Sequence, residues 1–158
     1  MEVKIETATI KLLDKLFEIE VECFDQEAFA KRQIAYLLTN YNTIALVAKV
    51  NIAIAGFIIV QVEVDKTTEF GHIITVNVTP KWRRQGVAKK LLKEIENLLK
   101  QKGINECRLE VREDNNSAIK LYQTIGYQPI GKIKNYYCKK HGLYLKKNIG
   151  SNQSPFDW

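Results

Sequence analysis

Two periods of apolar residues alternate along the chain, and the points where one gives way to the other mark its elements. Val3 and Ile5 open on a two-residue alternation that predicts a strand from Val3 to Thr9. Thr9 then suits a helix cap, and Leu12, Leu13, Leu16, Phe17, Ile19 and Val21 follow at helical spacing. After a short connection at Phe24-Asp25, a second helix is predicted from about Gln26 to Leu38, burying Phe29, Ile34, Leu37 and Leu38. Thr43 to Lys49 and Ala53 to Val64 are β-rich and resemble a hairpin, although Val50-Asn51-Ile52 lacks the Asn-Gly pair that favours a two-residue turn. Asp65 to Glu69 is a polar turn before a strand from Phe70 to Val78, and Pro80 stops that strand because proline cannot donate to a ladder.

Helical spacing returns at Ala88, Leu91, Leu92, Ile95, Leu98 and Leu99, within a stretch from Lys89 to Lys102 that Gly103 caps. Arg108 to Arg112 reads as a strand and Asp114-Asn115-Asn116 as a turn and cap. Ala118 to Thr124 then reads as a short helix closed by Gly126. Tyr127 to Ile149 alternates enough for two more strands, and Gly150 to Trp158 is a loose tail. No repeat or linker divides the chain, so one domain is expected over residues 1–149, with a tail over 150–158. The class is α/β of the α+β kind, with a largely antiparallel sheet whose later part holds a strand-helix-strand unit.

Arg83-Arg84-Gln85-Gly86-Val87-Ala88 sits between the strand ending at Val78 and the helix that follows. The first-turn amides of a helix have no intrahelical acceptors, and the macrodipole adds positive charge there. A basic turn at that point is therefore a cradle for a phosphate-bearing ligand. Two familiar phosphate loops are absent: the chain has neither G-x-x-x-x-G-K-[ST] nor G-x-G-x-x-G with an acidic ribose partner. Nucleotide hydrolysis and dinucleotide binding both lose support.

The 158 residues suffice for one core, and 46% hydrophobic with 27% charged residues is globular composition. No apolar run reaches the ~20 residues of a membrane-spanning helix. The opening Met1-Glu2-Val3-Lys4 lacks the build of a signal peptide, so a cytoplasmic protein without membrane partners is expected. Cys23, Cys107 and Cys138 form no C-x-x-C pair and have no histidine at ligand spacing, so they read as buried small hydrophobes and no metal is expected. A net charge of +6 favours an anionic ligand, but the lysines are dispersed, which argues for a solvated surface and against a specific nucleic-acid partner.

The run Val76 to Leu92, with its [Q/R]-x-x-G-x-[G/A] pattern, resembles the acetyl-CoA motif of the GNAT N-acetyltransferase superfamily. A second block, Leu109 to Tyr127, is similar to the other hallmark of that superfamily, a strand followed by N-x-x-A-x-x-L-Y-x-x-x-G-[FY]. Within the superfamily, Gly71-His72-Ile73, Leu109-Glu110-Val111-Arg112 and Asn135-Tyr136-Tyr137 look most like RimI-type and archaeal protein N-terminal acetyltransferases. The resemblance implies a mixed, mostly antiparallel sheet of six to seven strands with four helices, in which two splayed parallel strands bind CoA.

It also implies acetyl-CoA as cosubstrate and transfer, by direct attack in a ternary complex, to the α-amino group of a protein N-terminus, ribosomal or nascent. The cofactor would be held by Val76, Val78, Arg83, Arg84, Gln85, Gly86, Val87, Ala88, Lys89 and Asn115. Glu110 would be the general base and Tyr122 the acid that protonates the departing thiolate. Phe24, Phe29, Tyr136 and Tyr137 would line the peptide site. Each residue also has a plain structural reading: Glu110 as a surface charge pairing with Arg108 or Arg112, Tyr122 as a packed aromatic, Asn115 as a cap, the tyrosine pair as split between core and surface. His72 reads more readily as a strand histidine than as a base.

Two departures bear on the acceptor. Cys138-Lys139-Lys140-His141-Gly142 stands where RimI-type sequences carry an acidic turn, and Asp25-Gln26-Glu27-Ala28-Phe29 replaces a P-W-S-like turn. A small-molecule amine acetyltransferase and a non-catalytic CoA sensor therefore remain as alternatives.

Overall fold

The computed structural model describes residues 2–137 and 140–150, with the side chain of residue 137 excepted. In chain order the elements are β1 (Lys4–Thr7), α1 (Leu13–Phe24), α2 (Lys31–Thr39), β2 (Thr43–Val50), β3 (Ala53–Asp65) and β4 (Thr68–Val78). They continue with α3 (Val87–Gln101), β5 (Glu106–Arg112), α4 (Asn116–Thr124), β6 (Gln128–Tyr137) and β7 (Lys140–Asn148). Short 3-10 turns lie at Ile10–Leu12, Asp25–Glu27 and Pro80–Trp82. The strands form one seven-stranded sheet in the order β1-β2-β3-β4-β5-β7-β6, so the expected element types are all present. The expected tail lies outside the described residues from 151 onward, as does Cys138.

Among the described residues the chain forms two compact units, one within residues 2–62 and 73–95 and one within residues 63–72, 96–137 and 140–150. In the first, β1, β2 and β3 are antiparallel neighbours, with Ile5 opposite Ala48 and Val47 opposite Phe57. The β2–β3 hairpin closes through Asn51, whose φ of 56° makes it the left-handed residue that a two-residue turn requires. Leu16, Ile19, Ile34, Leu37, Val47, Phe57 and Ile59 build the core of this unit. Val21, by contrast, is 41% exposed: the α1 stripe puts Glu20 inside in its place.

The second helix begins later than the periodicity predicts. Asp25 takes a φ of 49° and Ala28 and Ala30 are extended, while Oε1 of Gln33 accepts the Ala30 N–H at 2.8 Å. That side chain caps the helix at Lys31 and leaves Phe29 in the lead-in.

In the second unit β7 pairs antiparallel with β5 on one side and with β6 on the other. Asn115 caps α4, its Oδ1 accepting Ala118 N–H at 3.3 Å, and Gly126 ends it at φ 105°. The Tyr127 hydroxyl donates to Glu96 (3.0 Å), and Lys147 pairs with the same carboxylate (2.7 Å). Cys107 is buried beside this group, with its thiol pushed up to about 12 by burial.

β3 and β4 approach so closely at Gly56 that a Cβ there would lie 2.3 Å from the backbone oxygen of Asn77. Backbone cannot yield as a side chain can. Gly56→Ala should therefore lower unfolding free energy by about 1–3 kcal/mol, checked by urea denaturation monitored by circular dichroism.

Candidate active site

The cradle belongs to the first unit. Pro80 begins a 3-10 turn, in which Trp82 N–H donates to Thr79 O at 2.9 Å, and the chain then enters two left-handed residues, Arg84 (φ 61°) and Gly86 (φ 82°). A non-glycine residue in that region costs roughly 1–3 kcal/mol. Side chains hold it there: Arg83 Nε donates to Val78 O at 2.9 Å and Gln85 Nε2 to Lys81 O at 3.2 Å. Val87, 1% exposed, anchors the start of α3, and Lys90 N–H is the first to close on Gly86 O (3.1 Å). The amides of Val87, Ala88 and Lys89 are thus left without intrahelical acceptors.

Arg84, Lys89 and Lys90 are exposed and form no ion pair among the described residues. A main-chain nest with unpaired cations around it fits a pyrophosphate. Arg83 has a different part, since its guanidinium also reaches Cys23 Sγ at 3.6 Å and so buttresses the loop.

β4 leads into the cradle. Its Ile73, Thr75 and Asn77 are buried, whereas Ile74, Val76 and Val78 are only half-buried. Behind it sits Glu20, 1% exposed. Its Oε1 accepts from Thr75 Oγ1 (2.8 Å) and Asn77 Nδ2 (3.1 Å), and its Oε2 from Phe29 N–H (3.2 Å). Burial raises its pKa against those three donors. Phe24 is half-buried at the end of α1, and Phe29 lines an apolar groove beside α2.

The second unit carries a hydrogen-bonded chain of titratable groups. His72 Nε2 lies 2.7 and 2.9 Å from the two oxygens of Glu110, and its Nδ1 lies 2.6 Å from Oε2 of Glu63. Tyr136 donates to Oε1 of Glu110 at 3.4 Å. An imidazole between two carboxylates at charge-assisted distances donates from both nitrogens only as the imidazolium. Burial alone would lower the His72 pKa, but Glu110 and then Glu63 outweigh it, so the net shift is upward. Glu110 pairs with neither Arg108 nor Arg112. Arg108 engages Glu106, Asp65 (3.1 Å) and Tyr144 (3.3 Å), and Arg112 makes two bonds to Asp114 at 2.8 Å.

Tyr122 is buried on α4, edge-on to Tyr127 with centroids 5.8 Å apart, and burial pushes its phenol up to about 12. It therefore keeps its proton at neutral pH. Asn115 uses its side-chain oxygen as a helix cap. The structure thus brings Glu110 together with Tyr136, adds the two groups that the sequence did not single out as functional, Glu63 and His72, and sets Tyr122 against Tyr127. Glu63 and His72 stand on opposite arms of the β3–β4 hairpin, and the polar turn between two strands was the one signal that could have paired them. The side chain of Tyr137 lies outside the described residues.

Residues 11–127 match the acetyltransferase (GNAT) family, and the chain belongs to it. It is 40% identical over 89 residues to the [ribosomal protein bS18]-alanine N-acetyltransferase of Haemophilus ducreyi, covering 56% of this chain and 59% of that protein. With an N-alpha-acetyltransferase of Sulfurisphaera tokodaii it shares 27% identity over 117 residues, 68% of this chain and 70% of that one. The fold matches the crystal structure of the ribosomal-protein-S18-alanine N-acetyltransferase from Escherichia coli with a TM-score of 0.86, at 22% identity and over 99% and 100% of the two chains. The chain spans less than two thirds of the length of the first of these relatives.

Two outcomes test the geometry. Gly86→Val forces a branched side chain into φ 82° and should weaken the binding of a pyrophosphate-bearing ligand at least tenfold by calorimetry while α3 remains folded. For His72, a folded pKa above the ordinary 6.5 means that its ion pairs stabilise fully below 6.5 and are lost as pH rises through the raised value. His72→Gln should therefore cost more stability at pH 6 than at pH 9, read from urea midpoints at the two pH values.

Proposed function

We propose that the protein transfers an acetyl group from acetyl-CoA to the α-amino group of a protein N-terminus. The observation that carries this reading is the chain Glu63–His72–Glu110–Tyr136, an array that can accept and disperse one proton. Acetyl-CoA supplies a thioester already activated for attack. The amides after Gly86, with Arg84, Lys89 and Lys90, hold its pyrophosphate, and the backbone of Val76 and Val78 carries its arm. The Val78 carbonyl already accepts Arg83, so that residue's part is the more restricted.

An α-amino group titrates near pH ~8, so a modest base frees enough neutral amine. Glu110 takes the proton that leaves nitrogen as the C–N bond forms and the C–S bond breaks, and the imidazolium of His72 offsets the charge left on Glu110 between turnovers. Tyr122, still protonated, gives its proton to the thiolate and regains one from solvent as Glu110 releases the proton taken from the amine, so each turnover moves one proton from amine to thiol. Phe29 lines the apolar groove of the first unit, and Tyr136 stands beside Glu110 in the second. The acceptor is a ribosomal or nascent chain beginning with a small residue, acetylated in the cytoplasm. The alanine N-acetyltransferase named among the relatives supports that acceptor class.

A panel of peptides varied at their first two positions, read by mass so that α-amino and lysine acetylation separate, should show α-amino products only. Glu110→Gln should lower kcat by about 10²–10⁴-fold with acetyl-CoA affinity unchanged. Turnover of polyamines with no peptide product would overturn the reading.

A further inference from the structure

The first unit holds a groove of about 330 Å³ lined by Phe29, Arg32, Gln33, Tyr36, Leu37 and Ile74. Its floor is apolar, from Phe29, Leu37 and Ile74. Its polar edge is unusual in composition. Arg32 and Tyr36, one turn apart on α2, are exposed, and Arg32 forms no ion pair among the described residues, whereas the adjacent Lys31 is paired with Asp14. Gln33 has committed its Oε1 to Ala30 N–H, which leaves its amide NH2 as a donor. The groove's edge is thus a fixed cation with donors beside it and an apolar floor beneath. A carboxylate on a short apolar stem complements that arrangement, and a bidentate guanidinium is the group best shaped to bind one.

Its place on β4 fixes which part of an acceptor would reach it. The cradle follows the C-terminal end of β4, so a cofactor arm running back along Val78 and Val76 points its thioester toward Ile74. Ile74 lies two residues before Val76 on the same half-buried side of the strand, about 6.6 Å away at ~3.3 Å per residue. An extended peptide covers that distance in two residues. We infer that Arg32 is a specificity residue that selects acceptors with Asp or Glu at the second or third position. This inference rests on the proposed N-terminal acetylation and narrows its substrate class.

The test compares peptides with Glu, Gln or Lys at positions two and three, measuring kcat/KM and, separately, equilibrium binding in the presence of CoA. Wild type should prefer Glu over Gln by about fivefold or more in both measurements, with the preference shrinking at high salt because the ion pair is solvent-accessible. Arg32→Ala should abolish the preference and Arg32→Glu should turn it toward Lys, while turnover of the Gln peptides and acetyl-CoA binding stay unchanged. Equal use of Glu and Gln peptides by wild type, or a preference that survives in Arg32→Ala, overturns the inference while leaving N-terminal acetylation intact. Peptides that bind with an Arg32-dependent preference for Glu but are never acetylated would support the inference and defeat the reading of function on which it was built.

Discussion

A single carboxylate, almost fully removed from water, fixes the strand on which the site is built. Glu20 receives three donors from two directions: two side chains of β4 and the amide of Phe29. Removing a charge from water costs several kcal/mol unless it is fully hydrogen-bonded. Its raised pKa means that the fold would be better served by a neutral group there at pH 7. What the carboxylate supplies is connection, since an acceptor with two oxygens holds β4 and the lead-in to α2 at the same time. The Oδ1 of Asn77 is buried without a partner in that cluster, a further cost borne at the same place. Gly56 also brings β3 against the backbone of Asn77. β4 is thus held by both contacts just before it enters the cradle.

Charge in the second unit is organised by sharing. The raised pKa of His72 and the short distances to Glu63 and Glu110 describe one proton-rich centre between two acids. Arg108, which would otherwise compete for Glu110, is held by Glu106, Asp65, Tyr144 and the face of Phe70, 3.9 Å from its guanidinium carbon. The separation of these two sets leaves Glu110 oriented by a histidine that can change charge, a softer partner than an arginine that cannot.

Local patterns were legible in the sequence where local physics decides them. The cradle could be read because Pro80, Gly86 and the spacing of Leu91, Leu92 and Ile95 each act within a few residues. The same holds for the Asn115 cap and the Gly126 stop on α4. What escaped was non-local or concealed by amphipathic averaging. Glu20 lies within a helical stripe that predicts a hydrophobic residue, so its burial follows only from what β4 places opposite. His72 gained its importance from Glu63 across a hairpin and Glu110 on another strand; the polar turn hints at the first partner, and no spacing along the chain records the second. The start of α2 moved because one glutamine side chain capped it, a choice that periodicity does not encode.

The cradle's dependence on main-chain amides has a consequence for what the protein can tell apart. In the proposed function, amides and a helix dipole would grip the diphosphate common to every CoA ester, from free CoA to long acyl forms, and would be blind to the group at the far end of the arm. Holding at Arg84 and Gly86 would therefore make the spent carrier a competitor of the fresh one. Discrimination among acyl chains would then fall to the space around Val76 and Ile74, where bulk, not phosphate, would meet the protein.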